Sequence, residues 1–121
     1  MGYLRNHAVI VESWNHDMLN AARAEAERIF SERGLGMLVS PVVGVAVNDG
    51  GSFMVAPDGS KEGWETSEHG DECRERLIAW LDCQRYEDGS SALSWCEVQF
   101  GDDNEDNRIL CDDRHPPIRS H

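Results

Sequence analysis

A four-residue apolar run, Ala8-Val9-Ile10-Val11, stands just ahead of a segment whose apolar residues recur at helical spacing. A strand-like run passing into a period near 3.6 points to a mixed α and β fold from the outset. Residues 7–14 read as a strand, and an unbroken apolar run is typical of a central strand buried on both faces. Asn15 then reads as a helix N-cap, with Asp17 in the first turn where the helix dipole favours a carboxylate. Met18, Ala22, Ala26, Ile29 and Phe30 form the apolar stripe of the helix that follows. Arg23, Glu27 and Ser31 lie opposite, and Gly34 ends it as a C′ glycine does.

Two strands are predicted next, at 37–47 and 52–56, joined by the hairpin signal Asn48-Asp49-Gly50-Gly51. Pro41 marks the first of the pair as an edge or bulged strand. A second helix is predicted over 67–85, with Cys73, Leu77, Trp80, Leu81, Gln84 and Ile78 on its apolar side. Gly70 weakens its first turn by about 1 kcal/mol relative to alanine. Residues 93–100 alternate, with Cys96, Val98 and Phe100 expected inward and Trp95, Glu97 and Gln99 outward. Residues 108–111 are expected to add a short last strand. The order β-α-β-β-α-β is the ferredoxin-like or split βαβ plan, an α+β antiparallel sheet with both helices on one face. One domain is expected over 1–113 and a fraying tail over 114–121. The expected core unites Met18, Ala22, Ile29, Leu77, Trp80, Leu81, Val98 and Phe100.

Charge constrains partners more than the fold does. Residues 62–113 carry sixteen acids and four bases, a local net charge of −12, equal to that of the whole chain. Such a field repels phosphates and attracts cationic surfaces. RNA recognition by the sheet is therefore disfavoured electrostatically, and no direct nucleic-acid partner is expected. The longest apolar stretch, 37–47, is broken by Ser40, Pro41 and Gly44, which excludes a membrane span there. The first residues lack the apolar stretch of a signal peptide, and Asn6 stands where a myristoylation signal needs serine or threonine. A cytoplasmic location is expected. Cys73, Cys83, Cys96 and Cys111 are too far apart for a Cys-x-x-Cys pair and read as small buried hydrophobes.

No Gly-x-Ser-x-Gly elbow, phosphate-binding glycine loop or His-Glu-x-x-His helix occurs, so no catalytic residue, enzyme activity or cofactor is expected. Asp102, Asn104, Asp106 and Asp113 fall at positions one, three, five and twelve of an EF-hand-like loop. Position six is Asn107 instead of glycine, position twelve is aspartate instead of glutamate, and a strand precedes the loop. A solvated hairpin loop is the better reading, with metal or small-ligand binding by 101–113 as the alternative. His69 and Cys73, one helical turn apart, lack the second ligand pair of a zinc site. Trp80 belongs to the helix stripe, whereas Trp64 either fills the core or anchors a partner.

Arg5-Asn6-His7-Ala8-Val9-Ile10, Pro57-Asp58-Gly59-Ser60-Lys61-Glu62-Gly63-Trp64, Arg85-Tyr86-Glu87-Asp88-Gly89-Ser90-Ser91 and Trp95-Cys96-Glu97-Val98-Gln99-Phe100-Gly101-Asp102-Asp103 resemble stretches of small uncharacterised phage and prophage proteins. The resemblance carries over no catalytic residue. It implies the company of small acidic phage proteins that inhibit host defences, some of them anti-CRISPR or anti-restriction proteins that imitate DNA with carboxylates. The expected function is non-enzymatic docking on a basic host-protein surface. Glu68, Asp71, Glu72, Glu75, Trp95, Glu97, Asp102, Asp103, Glu105 and Asp106 are the partner-binding candidates, and the acids are expected to be exposed and mostly unpaired.

Overall fold

The computed structural model describes residues 5–45, 49–61, 63–101 and 107–117. Strand β1 (Arg5–Ser13) is followed by helix α1 (His16–Ser31), a 3-10 turn (Gly36–Leu38), β2 (Val43–Gly44), β3 (Gly51–Val55), helix α2 (Glu65–Asp82), β4 (Ser94–Gly101) and β5 (Arg108–Asp112). The strands form one five-stranded sheet in the order β2-β3-β1-β4-β5, every neighbouring pair antiparallel. The fold is α+β, and β1 is its central strand, as the opening apolar run predicts.

The signals that bound α1 operate as expected. Asn15 Oδ1 accepts the Met18 amide at 3.1 Å, and Gly34 at φ 72° turns the chain so that the Leu35 amide donates to the Phe30 carbonyl at 2.8 Å. Leu19, Ala22, Ala26, Ile29 and Phe30 are buried. They meet Cys73, Leu77, Ile78 and Leu81 of α2 and Val9, Val11, Phe53, Val55 and Trp95 of the sheet in one core. Both helices therefore cover the same face of the sheet.

The valine-rich stretch 37–47 is not one strand. Leu38 ends the 3-10 turn, Val39 makes a single bridge to Val55, and among the described residues of the stretch only Val43 and Gly44 pair as a strand. Pro41, which lacks an amide donor, sits where the continuous ladder fails. Gly51 is a close-approach position: a Cβ there would lie 3.0 Å from Leu19 and 3.2 Å from the Val43 carbonyl.

The parity of β4 is the reverse of the expectation. Trp95 pairs with Val11, Glu97 with Val9 and Gln99 with His7, so these three lie on the helix-covered face. Trp95 is 3% exposed and Gln99 7%. Cys96, Val98 and Phe100 pair with Ile10, Ala8 and Asn6 on the other face, and Phe100 is 41% exposed. Alternation separates two sets of side chains, but it does not say which set the helices cover. The central strand is likewise not sealed on both sides, because Ile10 is 41% exposed. Met18 and Trp80 pack at the core margin rather than inside it.

Candidate functional site

Helix α2 has two chemically opposed sides. Ser67, Gly70, Arg74, Leu77 and Leu81 step by three and four and are buried. Glu65, Glu68, Glu72 and Glu75 repeat the same spacing on the side turned away from the sheet, and the half-buried Asp82 follows two turns further on. Over the 18 residues of α2 this ridge runs about 25 Å at 1.5 Å per residue.

Part of the ridge is paired within the chain. Arg33 Nη2 donates to both Glu72 oxygens at 2.9 and 3.0 Å, and Arg76 reaches back to Glu32 of the α1 end at 2.5 Å. Hydrogen bonding from Arg76 and the charge of that guanidinium hold the Glu32 carboxyl below its ordinary range. Asp82 meets Arg85 at 2.8 Å and Glu65 lies 3.7 Å from His69. The side chains of Glu68 and Glu75 are exposed and carry no ion pair among the described residues. The expectation of mostly unpaired acids is thus corrected: Arg33, just past the end of α1, and Arg76 of α2 tie the end of α1 to α2.

Under the opposite side of α2 lies a buried polar cluster. Arg74, 2% exposed, faces Asp58 at 3.3 Å, Asp71 at 2.5 Å and Glu97 at 3.8 Å. His7 of β1 also lies 3.8 Å from Glu97, and the Cys111 thiol is 3.8 Å from its other oxygen. Burial pushes the Asp58 carboxyl up, but hydrogen bonds from the Ser60 hydroxyl and amide, with Arg74, outweigh it and hold Asp58 low. Burial wins at Glu97, whose carboxyl is raised despite Arg74 and His7. Gly70 makes the cluster possible. A Cβ at that position would meet Asp58 Oδ2 at 2.3 Å and Arg74 Nη1 at 3.0 Å.

Of the candidate partner-binding residues, Glu68, Asp71, Glu72 and Glu75 are exposed on α2. Trp95 is in the core and Glu97 belongs to the buried cluster, so neither presents to a partner. Asp102, Asp103, Glu105 and Asp106 lie outside the described residues, as does the first part of the EF-hand-like loop, 102–106. The flanks of that loop are committed to the sheet: Gly101 donates to Asn107 Oδ1 at 3.2 Å, and Asp113 Oδ1 takes the Trp95 amide at 3.3 Å. No group of three or more potential metal ligands occurs among the described residues. Trp64 is 55% exposed and does not fill the core.

Thiolate chemistry is disfavoured at three of the cysteines. Burial raises Cys73 and Cys96, and burial together with the Glu97 charge pushes Cys111 up to about 12. A shallow groove of about 390 Å³ on α1 is lined by Arg23, Ala24, Glu27, Arg28 and Ser31. Both of its arginines are engaged, Arg23 with Glu27 and Arg28 with Glu25.

No protein-family model matches the chain, and no curated protein matches it. Among solved structures it is similar to a monomeric crystal structure of a double mutant of the guanylyl cyclase domain of the RhoGC fusion protein from the aquatic fungus Blastocladiella emersonii. The identity is 16% and the TM-score 0.39, over 82% of this chain and 60% of that one. No residue role is carried over from it. Among the described residues no helix is long and apolar enough to cross a membrane.

Proposed function

We propose that this chain is a non-enzymatic binding protein that docks the acidic ridge of α2 on a basic surface of another protein. The observation that carries the reading is the row Glu65, Glu68, Glu72 and Glu75, at helical spacing on the solvent side of one rigid element. Carboxylates in a row present a field like that of a nucleic-acid backbone, so a nucleic-acid channel of a host defence nuclease is the fitting class of target. A phage or prophage setting and a cytoplasmic location accord with that target. The site chemistry favours binding over catalysis, because the raised Glu97 carboxyl lies beneath α2 beside a fully buried arginine. The ferredoxin-like assignment is part of the same proposal. It is supported by the order β2-β3-β1-β4 with α1 and α2 between the strands, β5 being an added edge.

Capture on the immobilised chain from host lysate at low and high salt tests the docking. A partner held by the ridge is released by salt and is lost from a Glu68→Lys/Glu75→Lys chain that remains folded. Retention of the same partner by that variant overturns the assignment to α2.

A further inference from the structure

The face of the sheet away from the helices carries an apolar band with carboxylates along one flank. Met54, Ile10, Val98 and Ile109 step across β3, β1, β4 and β5, placed by the pairing of Met54 with Ile10, Val98 with Ala8 and Ile109 with Val98. Met54 is 40% exposed, Ile10 41% and Ile109 62%. Glu12 follows Ile10 two residues along β1, and Asp112 pairs with Cys96 at the β5 edge, so both stand on the same side of the band. With strands about 4.8 Å apart and about 3.4 Å per residue, the two carboxylate positions are about 12 Å apart, on a line nearly parallel to the band. Glu12 is exposed and has no ion pair among the described residues. Asp112 Oδ1 is held by the amides of Arg114 and His115 at 2.9 and 2.6 Å, with His115 Nδ1 at 3.0 Å. No lysine or arginine occupies a position on this face of the described strands.

We propose that this face takes a cationic amphipathic helix of another protein, its apolar stripe on the band from Met54 to Ile109 and its lysines or arginines reaching Glu12 and Asp112. Charge complementarity selects the occupant. The strands carry only carboxylates on this face, and the net charge of −12 repels acidic surfaces, a second copy of the chain included. Spacing selects a helix. A separation of about 12 Å is about two helical turns, so bases seven or eight residues apart on one side of a helix meet both carboxylates. The positions three and four apart on the adjoining side then lie along the band. A single helix is about 10 Å wide and covers the band without the breadth that a sheet-to-sheet contact needs. An antiparallel sheet with one solvated side ordinarily turns polar residues to water, and an apolar band there is what a further layer requires. The α2 ridge lies beyond the opposite face, so this site does not depend on the function proposed for the ridge.

Titration of the isotopically labelled full chain with two synthetic helical peptides tests the proposal, one of leucine and lysine and the other of leucine and glutamate in the same pattern. The leucine–lysine peptide is expected to bind and to shift the amides of Ile10, Met54 and Val98, and the leucine–glutamate peptide to leave them in place. Glu12→Lys should weaken the binding by about tenfold, and Ile10→Lys by about tenfold or more. Asp17→Lys, the same change of charge on the helix side of the sheet, should leave it within about twofold. In the wild-type chain the leucine–lysine peptide should slow alkylation of Cys96 relative to the exposed Cys83, a readout that needs no variant to fold. Shifts confined to α2, with alkylation of Cys96 unchanged, overturn the proposal by giving the cation to the ridge. Equal binding of both peptides overturns it by showing a face indifferent to charge, and so does a leucine–lysine peptide that binds nowhere.

Discussion

The two faces of the sheet are built from the same kinds of residue and meet different fates. On the covered face, Val9, Val11, Phe53, Val55 and Trp95 disappear beneath the helices, and a cluster of Arg74, Asp58, Glu97 and His7 is buried with them. On the open face, Ile10, Met54 and Phe100 stay in contact with water. Here hydrophobicity does not decide burial; the position of the helices does. The covered face tolerates charges because α2 brings an arginine to meet them, whereas the open face is apolar without any internal reason to be.

Substitution by alanine in β4 gives the strongest test of that contrast. Trp95→Ala should cost about 3–5 kcal/mol, the usual loss for truncating a fully buried aromatic. Phe100→Ala, five residues along the same strand but on the other face, should cost the isolated chain less than about 1 kcal/mol. Denaturant titration at a concentration where the chain is monomeric measures both. Equal losses would mean that the open face is covered within the monomer.

The next contrast is between ion pairs. Asp58→Ala removes a partly buried counter-charge from Arg74 and should cost about 1.5–3 kcal/mol, the range for hydrogen bonds to charged groups. Glu72→Ala breaks its exposed pair with Arg33 and should cost about 0–1 kcal/mol. If Asp58→Ala is as mild as Glu72→Ala, the Arg74 cluster is more hydrated than its burial indicates.

Titration sharpens the same cluster. The Glu97 carboxyl lies above its ordinary value of 4.5, so between that value and its raised one the folded chain holds more protons than the unfolded chain. Stability contributed by Glu97 therefore falls as pH rises through that window. Asp58 is held below its ordinary value of 3.8, so its contribution is present above that value and is lost as pH falls below it. Melting temperatures of wild type and Glu97→Gln should diverge in favour of the variant as pH rises above 4.5, and a constant difference would contradict the raised carboxyl.

These contrasts also show where the chain was readable. Helix α1 was largely legible, since its cap and its terminal glycine are local signals and Asn15, Ala22 and Gly34 act through neighbours in sequence, but its stripe was misplaced at one position, where Leu19 and not Met18 is buried. The order of strands and helices was legible for the same reason. The inward set of β4 was not, because Cys96, Val98 and Phe100 form a more apolar set than Trp95, Glu97 and Gln99. What turns Glu97 inward is Arg74, more than twenty residues away, brought there by the packing of α2. Gly70 reads as a weak point in a helix, yet it is the gap that admits the Asp58 carboxylate. The acidic ridge was visible as composition, but its pairing with Arg33 depends on the α1–α2 contact and has no local sign.

The smallest expected effect separates the two sides of α2 themselves. Glu75 lies three and four residues after Glu72 and Asp71, so its carboxylate meets like charges across one turn. Glu75→Lys replaces each repulsion by an attraction, and each such change is a few tenths of a kcal/mol. The variant should be slightly more stable than wild type at low salt, with the gain shrinking as salt rises. A thermal-melt series in salt measures it. A loss of stability would mean that Glu75 has a structural partner, and the ridge would then be part of the fold's own wiring. A gain would mean that the folded chain carries this carboxylate at a cost to itself, as expected of a surface whose charge serves an encounter with another molecule.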